Sequence, residues 1–166
     1  MDIGDMRRDF ESEGMDRDAL SDDPVRQFGT WFGDAREAGI LEPNAMSLAT
    51  TGANNMPDLR TVLLKYFDER GFVFYTNYES RKAQEIAENP RAALLFPWIG
   101  LNRQVRIQGQ VEKVSKTESL KYFASRPRGS QIGAWVSEQS KAVTSRGLLE
   151  QKVAEMKRKF SEGEVP

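Results

Sequence analysis

A mostly antiparallel β-sheet, curling toward a small barrel with helices packed outside it, is the fold this chain predicts: mainly β with peripheral helices, an α+β arrangement. Three observations carry that expectation. Short apolar or alternating runs recur at 45–50, 59–67, 72–76, 92–98 and 105–114, the pattern of half-buried strands. Tight turn signals join neighbouring runs, notably Thr51-Gly52-Ala53-Asn54-Asn55 and Asp68-Glu69-Arg70-Gly71. Segments of helical period flank or interrupt the strands without alternating regularly with them.

Taken along the chain, residues 1–23 hold few large apolar side chains and read as a mobile arm, with at most a short helical turn around 6–13. The single folded domain is expected over 24–166. Asp22-Asp23-Pro24 is a helix start, a capping carboxylate followed by proline in the first turn. Val25, Phe28, Trp31, Phe32 and Ala35 then recur at helical spacing until Gly39 ends the run. After the first three strands a short helix is expected over 80–89, closed by Asn89-Pro90. Ser115-Lys116-Thr117-Glu118 is a capping box opening a helix to about Ser125. Arg126-Pro127-Arg128-Gly129 breaks it, and Ser130 is placed to cap another short helix through Val136. A last amphipathic helix over 144–160 sets Leu148, Leu149, Val153, Met156 and Phe160 on one face.

Composition narrows function mostly by what is missing. The chain has 166 residues, enough for one domain with a real core. Its net charge of −1 gives no reason to expect nucleic acid as a partner. It contains no cysteine and no histidine, which excludes disulfides, thiol nucleophiles and thiolate metal sites, and removes the usual neutral-pH acid–base and metal-binding side chain. No metal site is expected, and redox chemistry would have to come from a bound organic cofactor. No Gly-rich phosphate loop or dinucleotide fingerprint is present, which disfavours ATP and Rossmann-type NAD binding. No run is apolar enough for a membrane span, and the N-terminus lacks the apolar core of a signal peptide, so a cytoplasmic protein is expected.

Four groups of residues could carry chemistry. Arg81 and Lys82 fall in the first turn of a predicted helix, the end where cations are disfavoured unless an anion docks there; alternatively Glu79 and Glu85 screen two solvated side chains. Arg60 and Lys65 stand in an apolar strand. Five residues apart, they point to opposite faces about 16 Å from one another along an ideal strand, so they suit two separate anions; alternatively both snorkel from the strand ends. Tyr122 and Arg126, one helical turn apart, combine with Ser130 into a phosphate-cage pattern, or are a surface tyrosine and an ordinary cap. Gln104 beside Arg103, and Gln139-Ser140, are amides and a hydroxyl able to bind a heterocycle, each a weak signal alone.

Their order is specific. Arg60-Thr61-Val62-Leu63-Leu64-Lys65, Phe74-Tyr75-Thr76-Asn77, Ser80-Arg81-Lys82, Leu95-Phe96-Pro97-Trp98, Arg103-Gln104-Val105, Tyr122-Phe123 with Arg126-Pro127-Arg128, and Ser130-Gln131-Ile132-Gly133-Ala134-Trp135 together resemble the pyridoxamine 5'-phosphate oxidase family, from about residue 7 onward. The resemblance implies a split β-barrel working as a homodimer with FMN at the subunit interface. It implies that Arg60, Lys82 and Arg81 meet the FMN phosphate, that Thr61, Val62, Leu63, Lys65, Tyr75 and Thr76 line the cofactor site, and that Gln104, Gln139 and Ser140 complete it, partly from the partner. Lys65, Tyr122, Arg126 and Ser130 would hold the substrate phosphate, and Arg7, Arg8 and Phe10 would close over the substrate. The two phosphates match the two anions that strand parity asks for.

The implied reaction is oxidation of pyridoxamine or pyridoxine 5'-phosphate to pyridoxal 5'-phosphate, by hydride transfer to flavin with O2 as acceptor and H2O2 released. No side chain is expected to be catalytic in itself. Full-length members are expected to run on for roughly another quarter of their length, with a tryptophan and an arginine that contact FMN and an Arg-x-His motif that contacts substrate. The chain is therefore expected to be C-terminally incomplete, marginally stable and weakly active alone. Alternatives are another flavin reductase on the same fold, which need not keep Lys65, Tyr122, Arg126 and Ser130, a non-catalytic carrier of FMN or pyridoxal phosphate, and a β-barrel interaction module without ligand.

Overall fold

The computed structural model describes residues 3–5, 14–136, 139–140, 146–160 and 165. The expected helical turn at 6–13 and the segment containing Arg7, Arg8 and Phe10 lie outside them. Residues 14–23 are largely exposed and contain a 3-10 turn, Arg17–Ala19, capped by Asp16.

Helix α1 spans Pro24–Glu37. The Asp23 carboxylate accepts from the amides of Val25 and Arg26 and proline fills the first turn, as the sequence asks. Gly39 follows with φ +68°, a left-handed stop that a Cβ would strain. Five strands come next, interrupted by one helix: β1 (Ala45–Thr51), β2 (Pro57–Asp68), β3 (Gly71–Phe74), helix α2 (Arg81–Glu88), β4 (Arg91–Trp98) and β5 (Arg103–Gln110). All neighbours pair antiparallel, in the order β3-β2-β1-β4-β5. The strand expected to run to 114 stops at Gln110, and the one expected to reach 76 stops at Phe74. Helices α3 (Lys116–Ser125), α4 (Arg128–Val136) and α5 (Arg146–Lys159) complete the chain. The Ser115–Glu118 capping box forms in full. Ser130 is not a cap: α4 begins two residues earlier, and the amides of Ser130 and Gln131 both donate to the Pro127 carbonyl. A proline at a helix entrance starts the helix rather than breaking the chain.

The core lies between α1 and the inner face of the curled sheet. Met46 and Leu48 of β1, Leu64 of β2, and Leu94, Phe96 and Trp98 of β4 are buried there against Phe28 and Ala35 of α1. Phe28 is the hub, with ring centroids 4.9 Å from those of Phe67, Phe72 and Phe96. The outer face has no such cover. Leu59 and Thr61 on β2, and Gln104, Arg106 and Gln108 on β5, are exposed. Strand β2 is thus half-buried and alternating, where an apolar sequence suggested more complete burial. Ile132, Phe160 and Val165 form a smaller second cluster joining α4 and α5.

Candidate functional site

The inward side of β2 ends in a charged corner. Asp58 and Arg60, two residues apart, share a face; the next inward residue, Val62, already belongs to the core. Arg60 spends its guanidinium entirely on neighbours. Nη1 donates to the Leu48 carbonyl at 3.2 Å and to Thr50 Oγ1 at 2.5 Å, while Nη2 meets Asp58 at 2.7 Å and Glu85 at 3.1 Å. Thr50, itself buried, donates to Glu85 Oε2 at 2.5 Å. A closed ring of threonine, arginine and glutamate therefore ties β1, β2 and α2 together. Burial of Glu85 would raise its pKa, but hydrogen bonds from Thr50, Arg81 and Arg60 outweigh this and hold it below the ordinary carboxylate value. The same balance, burial against Arg60 and Arg81, lowers Asp58.

Helix α2 can sit this close because residue 52 is glycine. A Cβ there would meet Glu88 Oε2 at 2.9 Å and Glu85 Cγ at 3.2 Å. Glu88 in turn accepts from the Ala53 amide at 2.8 Å.

The two cations opening α2 have different fates. Arg81 is partly exposed and pairs through Nε with Glu85 at 2.9 Å and Asp58 at 3.4 Å. Lys82 is buried, with 8% of its surface exposed. Its ammonium is held by neutral oxygens, Thr76 Oγ1 at 3.2 Å and Gln139 Oε1 at 3.0 Å. Among the described residues no carboxylate comes within ion-pair distance of it. Burial and then the like charge of Arg60 push its pKa below the ordinary lysine value. Screening by glutamates accounts for Arg81 and fails for Lys82; Glu79 screens neither among the described contacts. Ser140 Oγ accepts from the Arg81 amide at 3.2 Å, so Gln139 and Ser140 lie on this corner from within the same chain.

The remaining sequence-derived residues are spread more widely. Tyr75 stacks on Tyr122, centroids 3.7 Å apart and nearly parallel, which brings β3's end to α3. Arg126 is the C-cap of α3, and Ser130 lies exposed in the first turn of α4. Lys65 sits at an irregularity in the β2–β3 ladder, between Leu64 and Tyr66. It lines an open groove of about 550 Å³ with Phe32, Arg36, Ile40, Pro43, Asn44 and Leu64. Arg60 and Lys65 therefore have different neighbours, although the ladder irregularity at Lys65 breaks the two-residue period on which strand parity relies, and no described contact joins Lys65 to Tyr122, Arg126 or Ser130. Leu63 is half-buried and Thr61 exposed on β2's outer side. Gln104 is exposed on edge strand β5, opposite Pro97 and away from the charged corner. Thr50 and Asp58 are not singled out in the sequence, where Glu85 stands only as a screen for Arg81 and Lys82 and not as a partner of Arg60. Asp58 could have been, since period two puts it beside a half-buried arginine that needs a carboxylate.

A curled antiparallel sheet with helices outside it is the architecture of the FMN-binding split-barrel proteins, and comparison with solved structures bears this out. PhzG from Burkholderia lata 383, solved with tetrahydrophenazine-1-carboxylic acid, superposes with a TM-score of 0.85 at 25% identity, covering 93% of this chain and 77% of that one. A pyridoxamine 5'-phosphate oxidase-related, FMN-binding protein from Nostoc punctiforme shares the fold at a TM-score of 0.60 and 19% identity, over 79% and 73% of the two chains. The chain belongs to the pyridoxamine 5'-phosphate oxidase family, whose model matches residues 32–160. Pyridoxine/pyridoxamine 5'-phosphate oxidases from Aliarcobacter butzleri and Crocosphaera subtropica are each 60% identical to it across all 166 residues, which span 78% of their lengths.

Proposed function

We propose that the protein is an FMN-dependent oxidase converting pyridoxamine or pyridoxine 5'-phosphate to pyridoxal 5'-phosphate, with O2 as acceptor. The observation that carries the reading is Lys82. Among the described residues this buried ammonium contacts only neutral oxygens, with Asp58 and Glu85 attracting it from beyond ion-pair distance; that is costly unless an anion joins it, and a phosphate ester suits the place, flanked by Arg60, Arg81 and the N-terminus of α2. The cofactor is FMN; bound, it supplies the hydride acceptor and the group that returns electrons to O2, forming H2O2.

The chain's own part is positioning. Thr50 and Glu85 fix Arg60, Thr76 and Gln139 fix Lys82, and Ser140 holds the start of α2. Thr61, Val62, Leu63, Tyr75 and Thr76 line the flavin side, with Lys65 between cofactor and substrate. Lys65, Tyr122, Arg126 and Ser130 hold the substrate phosphate, and Arg7, Arg8 and Phe10 close over it. Gln104 stands too far from Lys82's corner to serve it within one chain. That supports a homodimer in which the bare outer face of the sheet is covered and Gln104 reaches the partner's flavin. Among the described residues no helix is long and apolar enough to cross a membrane, in keeping with a cytoplasmic enzyme.

The test is peroxide release from pyridoxamine 5'-phosphate with added FMN. Stoichiometric peroxide and pyridoxal 5'-phosphate are expected. FMN bound with no peroxide would replace the oxidase reading with a non-catalytic flavin carrier.

A further inference from the structure

The arginines of the charged corner already have carboxylate partners within the chain. Asp58 Oδ2 lies 2.7 Å from Arg60 Nη2 and 3.4 Å from Arg81 Nε, on the guanidinium groups that a phosphate would claim. Glu85 touches the same two arginines, so two carboxylates compete for them, but they are not alike. The Glu85 side chain is 9% exposed and is also locked by Thr50. The Asp58 side chain is 31% exposed. Apart from the two arginines, its recorded partner is the adjacent Leu59 amide, at 2.9 Å. Rotating Asp58 outward would leave no buried group without a partner; removing Glu85 would strand Thr50 and Arg60.

Charge points the same way. Arg60, Arg81 and Lys82 bring three positive charges. Against Glu85 alone they leave an excess of two, which a phosphate monoester of nearly two negative charges neutralises. With Asp58 still in place the bound state would be negative.

We propose that Asp58 is an internal stand-in for the cofactor phosphate, pairing with Arg60 and Arg81 in the empty protein and swinging to solvent when the phosphate arrives. The proposal rests on reading this corner as the FMN phosphate site. It makes Asp58 a selectivity device. A ligand must out-compete a carboxylate already on the arginines, so phosphate dianions enter and singly charged anions do not. Glu85, by contrast, stays and aims Arg60 in both states.

The experiment is titration of the full chain with FMN and with riboflavin, which lacks the phosphate, followed by flavin fluorescence, for wild type, Asp58→Asn, Asp58→Ser and Lys82→Met. Both Asp58 variants are expected to bind FMN about two- to five-fold more tightly, the range of a partly exposed ion pair, with riboflavin affinity unchanged. Lys82→Met is expected to erase the preference of wild type for FMN over riboflavin. If Lys82→Met behaves so while both Asp58 variants bind FMN no more tightly than wild type, Asp58 merely orients Arg60 and the stand-in is wrong, with the phosphate site intact. If wild type shows no preference for FMN and Lys82→Met changes nothing, the phosphate-site reading fails and the proposal falls with it. Asp58→Ser covers the case in which the asparagine variant does not fold.

Discussion

Replacing Lys82 with methionine should make the ligand-free protein more stable while crippling its hold on FMN. The side chain is 8% exposed, and the two hydrogen bonds it would lose go to neutral oxygens on Thr76 and Gln139. Gln139 is exposed and can turn to water, so their loss costs about 1 kcal/mol. Against this, the variant removes a desolvated charge that also repels Arg60, and methionine keeps the volume of the stem. Exchanging buried ions for apolar groups of like size gains about 1–4 kcal/mol in comparable settings. A net gain of about 1–2 kcal/mol follows, a rise in urea midpoint of about 0.5–1 M. FMN should bind about ten- to a hundred-fold more weakly, the loss of one charge-assisted contact. The sign has a pH signature. A lysine whose folded pKa is depressed lets the protein gain stability as pH rises from that value toward the ordinary 10.5, so the variant's advantage should shrink in alkali. Urea melts without FMN, and fluorescence titrations with it, decide the matter. A variant less stable than wild type without FMN, or one binding FMN equally well, would refute the reasoning.

Thr50→Val deletes the hydroxyl at the centre of the ring, leaving Arg60 Nη1 and Glu85 Oε2 each short of a buried partner; a destabilisation of about 2–4 kcal/mol is expected, and a urea midpoint unchanged within error would show that the ring holds nothing. Gly52→Ala should cost about 1 kcal/mol, since its Cβ displaces the Glu88 carboxylate from the Ala53 amide and crowds Glu85 Cγ, seen as a lower melting temperature. Glu85 has a depressed pKa, so its contribution is present above the unfolded value near 4.5 and is lost as pH falls through the folded one. Stability of Glu85→Gln, measured by urea at about pH 7 and about pH 4, should therefore approach that of wild type in acid; a constant gap would argue against an ionised Glu85.

What could be read from the sequence was what depends on near neighbours. Asp23-Pro24 and the Ser115–Glu118 box announce their helices because caps act within four residues. Arg60 and Lys65 do have different neighbours, but parity alone does not account for it, because the ladder slips at Lys65, which lines a groove with Phe32 and Arg36 of α1. The misreadings also have local causes. Arg126-Pro127-Arg128-Gly129 does end α3, with Arg126 as its extended C-cap, but the next helix begins earlier than a cap at Ser130 implies, because the Pro127 carbonyl already opens α4 ahead of that residue. The ladder irregularity at Lys65 depends on how β3 pairs with β2, which no single strand displays. The ring at Arg60 was illegible for a different reason: Thr50 and Glu85 are separated by 35 residues, and an isolated threonine or glutamate carries no mark of the other. Gln139 reaches Lys82 across 57. The cations of this corner could thus be named in advance, and so could Glu85 as a neighbour of Arg81 one helical turn away, while its contacts with Thr50 and Arg60 could not.

Because Thr50, Arg60 and Glu85 come from β1, β2 and α2, the corner they build cannot outlive any of those elements. A fluctuation that frees α2 or unzips β1 from β2 dismantles the corner at once, and with it whatever affinity for a phosphate the proposed function gives it. Occupancy by a phosphate ester would therefore slow exchange of the deeply protected amides of the central strands, those that open only in global unfolding. Gln139 and Ser140 lie beyond the end of α4 and are not members of that ring. On the proposed reading, the sheet and α2 therefore decide whether a phosphate seat exists at all, whatever contacts Gln139 and Ser140 make.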